Sequence, residues 1–183
     1  MSFGLNGRFA IALAFFLFIA SACSGAVGLR LAAGVEIIPL KFIDLEDYNS
    51  GIGADIRADI VWGAFSTTSL EMGYREFPIG GAWPDHVFAL HRFGVMQRFY
   101  PMYARRPRLS PYLGLGFTAT DSKRFSLNIP DAEYAGWAVM IGIEIPKGTH
   151  FRLDPALRWD FFASTDYFYS ACGLGVHLIW NLK

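Results

Sequence analysis

The sequence predicts an all-β fold: an eight-stranded antiparallel up-and-down transmembrane β-barrel following an N-terminal signal peptide. Three observations carry this expectation. Eight segments alternate apolar and polar residues with period two, the repeat of a strand whose successive side chains point to opposite faces. Seven Arg and seven Asp or Glu share one phase of that alternation, and the opposite face is almost free of charge. That second face is apolar and ends in Trp, Tyr and Phe. A soluble barrel turns its apolar face inward, whereas a membrane barrel encloses a polar lumen within an apolar outer band.

The leader is set aside first. Arg8 precedes the apolar run Phe9 to Ile19 and then Ala20-Ser21-Ala22, the charge, short apolar core and small-residue site of a signal peptide. The run is too short for a spanning helix. Cleavage after Ala22 leaves Cys23 first, as in a lipoprotein, although Ala20 stands where a lipobox has Leu. Ordinary signal-peptidase cleavage is the expectation, with lipidation of Cys23 the alternative. The domains are then residues 1–22, signal peptide, and 23–183, one barrel domain.

The eight strands follow in order. The first, about Val27 to Leu40, turns Leu29, Leu31, Val35 and Ile37 one way and Arg30 and Glu36 the other. The second, Ile52 to Ala64, opposes Ile56, Ile60 and Trp62 to Asp55, Arg57 and Asp59. The third, Thr68 to Phe77, sets Leu70, Met72 and Tyr74 against Glu71 and Arg75. The fourth, His86 to Phe99, sets Phe93, Val95 and Phe99 against Arg92 and Arg98, with His91 and Gln97 falling on the apolar side.

The fifth, Leu109 to Ala119, alternates Leu113, Leu115 and Phe117 with Tyr112, Gly114 and Gly116. The sixth, Tyr134 to Ile145, opposes Trp137, Val139, Ile141 and Ile143 to Gly136, Gly142 and Glu144. The seventh, Phe151 to Phe162, turns Leu153, Leu157, Trp159 and Phe161 away from Arg152, Asp154, Arg158 and Asp160. The eighth, Ala171 to Leu182, turns Leu174, Val176, Leu178 and Trp180 away from Gly173, Gly175 and His177. Each is near the ~9–11 residues that carry a tilted strand across a bilayer.

Short connections are expected at Phe65-Ser66-Thr67 and Pro146-Lys147-Gly148, and longer ones at Lys41 to Gly51, Pro78 to Asp85, Thr120 to Glu133 and Ala163 to Ser170. Aromatic girdles are expected from Trp62 and Trp180 at one rim and Tyr74, Trp137 and Trp159 at the other. Pro155 sits in mid-strand, where its missing N–H predicts a bulge or a shifted register. The rival is a lipocalin-like soluble barrel, which needs a Lys-rich outer face. All four Lys (Lys41, Lys123, Lys147, Lys183) instead lie in expected turns or at the terminus.

The run Pro111-Tyr112-Leu113-Gly114-Leu115-Gly116 and the alternating strand Gly173 to Leu182 resemble the small eight-stranded outer-membrane barrels of the OmpA, OmpX and OmpW type. The resemblance implies residence in a bacterial outer membrane, with membrane lipid and the outer-membrane assembly machinery as partners. It also brings the expectation of an acceptor for small hydrophobic molecules, as OmpW-like proteins are associated with such a cavity.

The inward set is Arg30, Glu36, Asp55, Arg57, Asp59, Glu71, Arg75, Arg92, Arg98, Glu144, Arg152, Asp154, Arg158 and Asp160. An eight-stranded barrel is just wide enough for side chains to fill it, and enclosed charges must pair. A charge-plugged lumen is therefore the leading expectation, with an envelope or surface role carried by the extracellular loops. A narrow pore or hydrophobic acceptor and a surface adhesin meeting host molecules are the alternatives. Candidate ligand contacts in the loops are Trp83, Phe125, Leu127, Tyr167 and Phe168.

Other functions find little footing. Net charge is zero, so no nucleic-acid partner is implied. The four His are scattered and Cys172 is expected to face lipid, so no metal or cofactor site is predicted. Outer-membrane lipid A deacylases resemble this architecture and use a His and a Ser two residues apart. Here His86, His91, His150 and His177 are followed at that spacing by Phe88, Phe93, Arg152 and Ile179, and no enzymatic activity is expected.

Overall fold

Alternation of bulky apolar and polar residues, with Gly clustered on the polar phase, favours pleated strands over helices. The computed structural model describes residues 27–43, 50–63, 65–78, 87–101, 109–124, 132–163 and 168–182. Residues 1–22, expected to be a leader, and Cys23 lie outside them. The strands are β1 (Val27–Ile43), β2 (Gly51–Trp62), β3 (Ser66–Pro78), β4 (Val87–Phe99), β5 (Ser110–Arg124), β6 (Ala132–Lys147), β7 (Phe151–Ala163) and β8 (Phe168–Leu182). Each pairs antiparallel with the next, and β1 pairs with β8 to close the barrel. Closure removes the open edges of the sheet.

The strand ends depart from the sequence expectation mainly at the loop rim. β1, β5 and β8 run several residues further there, to Ile43, to Arg124 and back to Phe168. These extensions stay hydrogen-bonded to their neighbours. Apolar and polar residues no longer alternate along Lys41-Phe42-Ile43, Thr120 to Arg124 and Phe168-Tyr169-Ser170, so the period-two signal fades although the ladder continues. At the opposite rim short turns join β2 to β3 and β6 to β7, the second at 148–150. Gly63 and Gly148 take positive φ there, a conformation glycine adopts without a Cβ clash.

Pro155 does not shift the register. It pairs with Val176 in step with the rest of the β7–β8 ladder. On the β6 side pairing lapses between Gly142/Ala156 and Ile145/Leu153 and resumes in the same register. The absent N–H thus costs a local stretch of ladder and no slip. The one-residue shift lies instead between Ile37 and Leu40 of β1 against β8, the stretch that contains Pro39.

The two faces differ in chemistry. Val35 (66% exposed), Trp137 (65%), Ile141 (59%) and Leu174 (52%) stand on the outside. The inward phase holds the charges and the small residues. Stacked Phe151 and Trp180 (ring centroids 6.2 Å) mark the turn rim, and stacked Trp159 and Phe161 (5.3 Å) mark the loop side. Trp137 lies edge-on to Phe117 at 6.0 Å, and Tyr74 lies 5.2 Å from the His91 ring.

Polar atoms on the outer face are satisfied locally. Trp62 Nε1 donates to Thr68 Oγ1 (2.9 Å), whose hydroxyl donates to Gln97 Oε1 (2.6 Å). This chain across β2, β3 and β4 explains how Gln97 stands on the apolar side of its strand. Trp159 Nε1 donates to Ser170 Oγ (2.7 Å), and the Tyr74 hydroxyl donates to Glu76 Oε1 (2.5 Å). Cys172, expected to face lipid, is buried, opposite Trp159 in the β7–β8 register.

Candidate functional site

Strand pairing brings all fourteen inward charges together from residues far apart in sequence. Thirteen are buried, and the Asp55 side chain is 7% exposed. The period-two rule decides that these residues face inward, and strand register decides which of them meet.

Toward the loop rim, Glu36 accepts a two-pronged contact from Arg75, Nε to Oε1 at 2.6 Å and Nη2 to Oε2 at 2.9 Å. This fork geometry gives Arg–carboxylate pairs both strength and direction. Arg75 Nη2 also reaches Asp160 Oδ2 at 2.6 Å. Arg92 spans Asp55 (2.9 Å), Asp160 (3.5 Å) and Glu36 (3.6 Å). Arg158 holds Asp160 at 2.9 Å and also bonds Glu71.

Toward the turn rim, Glu144 gathers Arg30 (3.0 Å), Arg152 (3.3 Å) and Arg98 (3.4 Å). Arg98 continues to Asp59 at 2.6 Å and rests on Ser69 Oγ at 2.7 Å. Arg57 joins Asp59 (3.4 Å) to Asp154 (2.5 Å), and Arg98 lies 3.8 Å from Asp154. Two tyrosines complete this half. Tyr100 donates to Glu144 Oε1 at 2.6 Å and Tyr112 to Asp154 Oδ1 at 2.8 Å. The Arg98 guanidinium also lies 5.4 Å from the centre of the Tyr112 ring.

His177 is the residue that sequence reasoning left outside the set. Asp154, His177, Gly34 and Asp55 are successive cross-strand neighbours on β7, β8, β1 and β2. The imidazole leans across Gly34, placing Nε2 2.9 Å from Asp55 Oδ1. Its Nδ1 lies 3.4 Å from the Asp154 carbonyl oxygen and 3.9 Å from Oδ2. A Cβ on Gly34 would fall 2.2 Å from His177 Cδ2. The signal available in sequence was the inward phase of His177, but nothing local marks its reach across a neighbouring strand. Tyr100 sits just beyond β4, outside the eight alternating segments of the sequence.

Of the residues expected to form girdles, Trp62 and Trp180 stand at the turn rim and Tyr74, Trp137 and Trp159 toward the loop rim. Trp83, Phe125, Leu127 and Tyr167 lie outside the described residues. Phe168 opens β8, and its side chain is likewise outside the description.

An apolar exterior around a buried, ion-paired interior defines a class: the eight-stranded transmembrane barrel of the outer-membrane type. No known family model matches the sequence, and no curated protein gives a significant match. Solved structures show the likeness of fold. The chain is similar to the neisserial surface protein NspA, with a TM-score of 0.68 at 14% identity over 86% of this chain and 100% of that one. It is similar to the outer membrane protein OprG of Pseudomonas aeruginosa, with a TM-score of 0.60 at 10% identity over 87% and 97%. A third is Ail, the attachment invasion locus protein of Yersinia pestis, with a TM-score of 0.52 at 12% identity over 85% and 99%.

Proposed function

We propose that the chain is an anchored surface protein of the bacterial outer membrane, its lumen closed by the Arg–carboxylate network and its external work done by its loops. The observation that carries this reading is the pairing inside the barrel. Each of the seven arginines lies within 4 Å of a carboxylate. Charges held in this way leave little room for a solute and little reason for one to enter. The turn rim then faces the periplasm and the longer connections face outward.

Liposome swelling tests the closed lumen. Vesicles carrying the refolded protein should swell in an isosmotic pentose no faster than empty vesicles. Swelling at a porin-like rate would overturn the reading. The surface role is tested separately by exchanging the 79–86 connection and measuring whole-cell attachment, which should fall while barrel assembly is unchanged.

A further inference from the structure

The lipid-facing wall is not uniform. Ala33 and Ala58 lie diagonally across the β1–β2 ladder, in which Ala33 pairs with Ile56 and Leu31 with Ala58. Their small side chains floor a groove of about 720 Å³ on the outside of the barrel, almost wholly apolar, between Phe93 on β4 and Trp180 on β8. Leu31 and Ile56 stand clear of the wall beside it, at 44% and 58% exposure. This face meets the hydrocarbon layer. A depression there that stays unfilled forfeits the packing contacts of its lining.

The groove has a polar neighbour. Ala58 pairs with Leu70 and Leu70 with Val95, and Thr68 and Gln97 form the next outward pair toward the turn rim. Gln97 is only 3% exposed although it stands on the outward phase. The Trp62 indole N–H goes to Thr68, whose single hydroxyl proton goes to Gln97 Oε1. That chain leaves the Gln97 amide nitrogen, with its two N–H donors, without a partner among the described residues. An amide donor at the edge of hydrocarbon requires an acceptor. Gln97 lies two residues inside Phe99 at the end of β4, about 7 Å along the strand. The interfacial layer flanking the hydrocarbon core is about 5–8 Å deep on each side. The amide therefore stands at the depth where glycerol esters meet acyl chains.

We propose that this wall holds one resident glycerophospholipid, an acyl chain in the groove over Ala33 and Ala58 and an ester carbonyl accepting from Gln97 Nε2. The inference rests on the orientation given above, in which the turn rim faces the periplasm, so the lipid belongs to the periplasmic leaflet. An ester carbonyl only accepts, which matches a group with only N–H left to give. A single chain follows a groove of this shape, whereas the convex wall of a second barrel meets it at a tangent.

The experiment is native mass spectrometry of the refolded protein released from nonionic detergent micelles. The micelles carry equal amounts of palmitoyl-oleoyl phosphatidylethanolamine and its dialkyl ether analogue, which lacks the ester carbonyls. The wild type should retain one lipid per barrel and favour the ester lipid about 2–10-fold, the worth of one hydrogen bond. Ala58→Phe fills the groove and should retain none. Gln97→Leu should retain lipid without preference, and Val139→Phe, on the opposite wall, should match the wild type. A wild type without lipid, or A58F retaining as much as the wild type, overturns the site. Equal retention of both lipids by the wild type overturns the contact with Gln97. A lipid-free dimer gives the groove to a second copy and overturns the proposal. Should Q97L fail to assemble, the wild type and A58F decide, since A58F exchanges one apolar side chain for another on the lipid side. Failure of the orientation shows separately. Labelling of Thr149→Cys by an impermeant maleimide in intact cells, above the wild-type background, would overturn the periplasmic leaflet without emptying the groove.

Discussion

The His177 imidazole lies against Gly34, so close that a methyl group on Gly34 would sit 2.2 Å from Cδ2 and 2.7 Å from Cγ. Only a residue without a side chain leaves β1 open for a ring from β8 to reach Asp55 on β2. Gly34→Ala should therefore displace the ring and strain the wall, costing about 1–3 kcal/mol as an overpacked site. Urea unfolding in lipid vesicles reads this. A G34A barrel as stable as wild type would mean that the imidazole has another place to lie.

Glu144 and Glu71 carry unequal loads. Glu144 accepts from Arg30, Arg98 and Tyr100 and lies 3.3 Å from Arg152, whereas the ion pair of Glu71 is with Arg158 alone among the described residues. Removing one member of a buried pair strands its partner, at about 3–5 kcal/mol. Glu144→Gln should reach that range and Glu71→Gln should fall below it, because Arg158 keeps Asp160. Equal losses in urea midpoint would show that the network does not concentrate on Glu144.

On the outer face, Ile141 is 59% exposed in mid-strand. Ile141→Arg should cost about 2–4 kcal/mol near the bilayer midplane. Thr149→Arg, in the exposed turn at 148–150, should cost almost nothing. Refolding of both variants into vesicles with equal yield and stability would contradict the orientation of the wall.

Thr68 sits between Trp62 and Gln97, accepting from one and donating to the other. Thr68→Val keeps the shape but strands the indole N–H and the amide oxygen, and should cost about 1–3 kcal/mol. Trp62 fluorescence should also shift as its hydrogen bond is lost. An unchanged midpoint and an unchanged spectrum would show that lipid-facing water replaces the hydroxyl.

The sequence by itself determined what each residue faces. Cβ atoms alternate along a strand whatever the partner, so Arg30, Asp55 and Asp160 could be placed inside, and Val35, Ile141 and Leu174 outside, without any knowledge of neighbours. Strand number and most boundaries followed from the same local rule. It weakened where apolar and polar residues stop alternating, as at Thr120 to Arg124, and there the strands ran on unannounced. The two prolines show the limit: each lacks an N–H, yet the register shift lies at the stretch around Pro39 and not at Pro155. Tertiary structure alone decided the partners. Arg30 meets Glu144 across 114 positions of chain, and His177 meets Asp55 only because register sets Gly34 between them. Facing is a property of one strand, but pairing depends on how all eight are staggered around a closed ring, and no short stretch of sequence carries that sum.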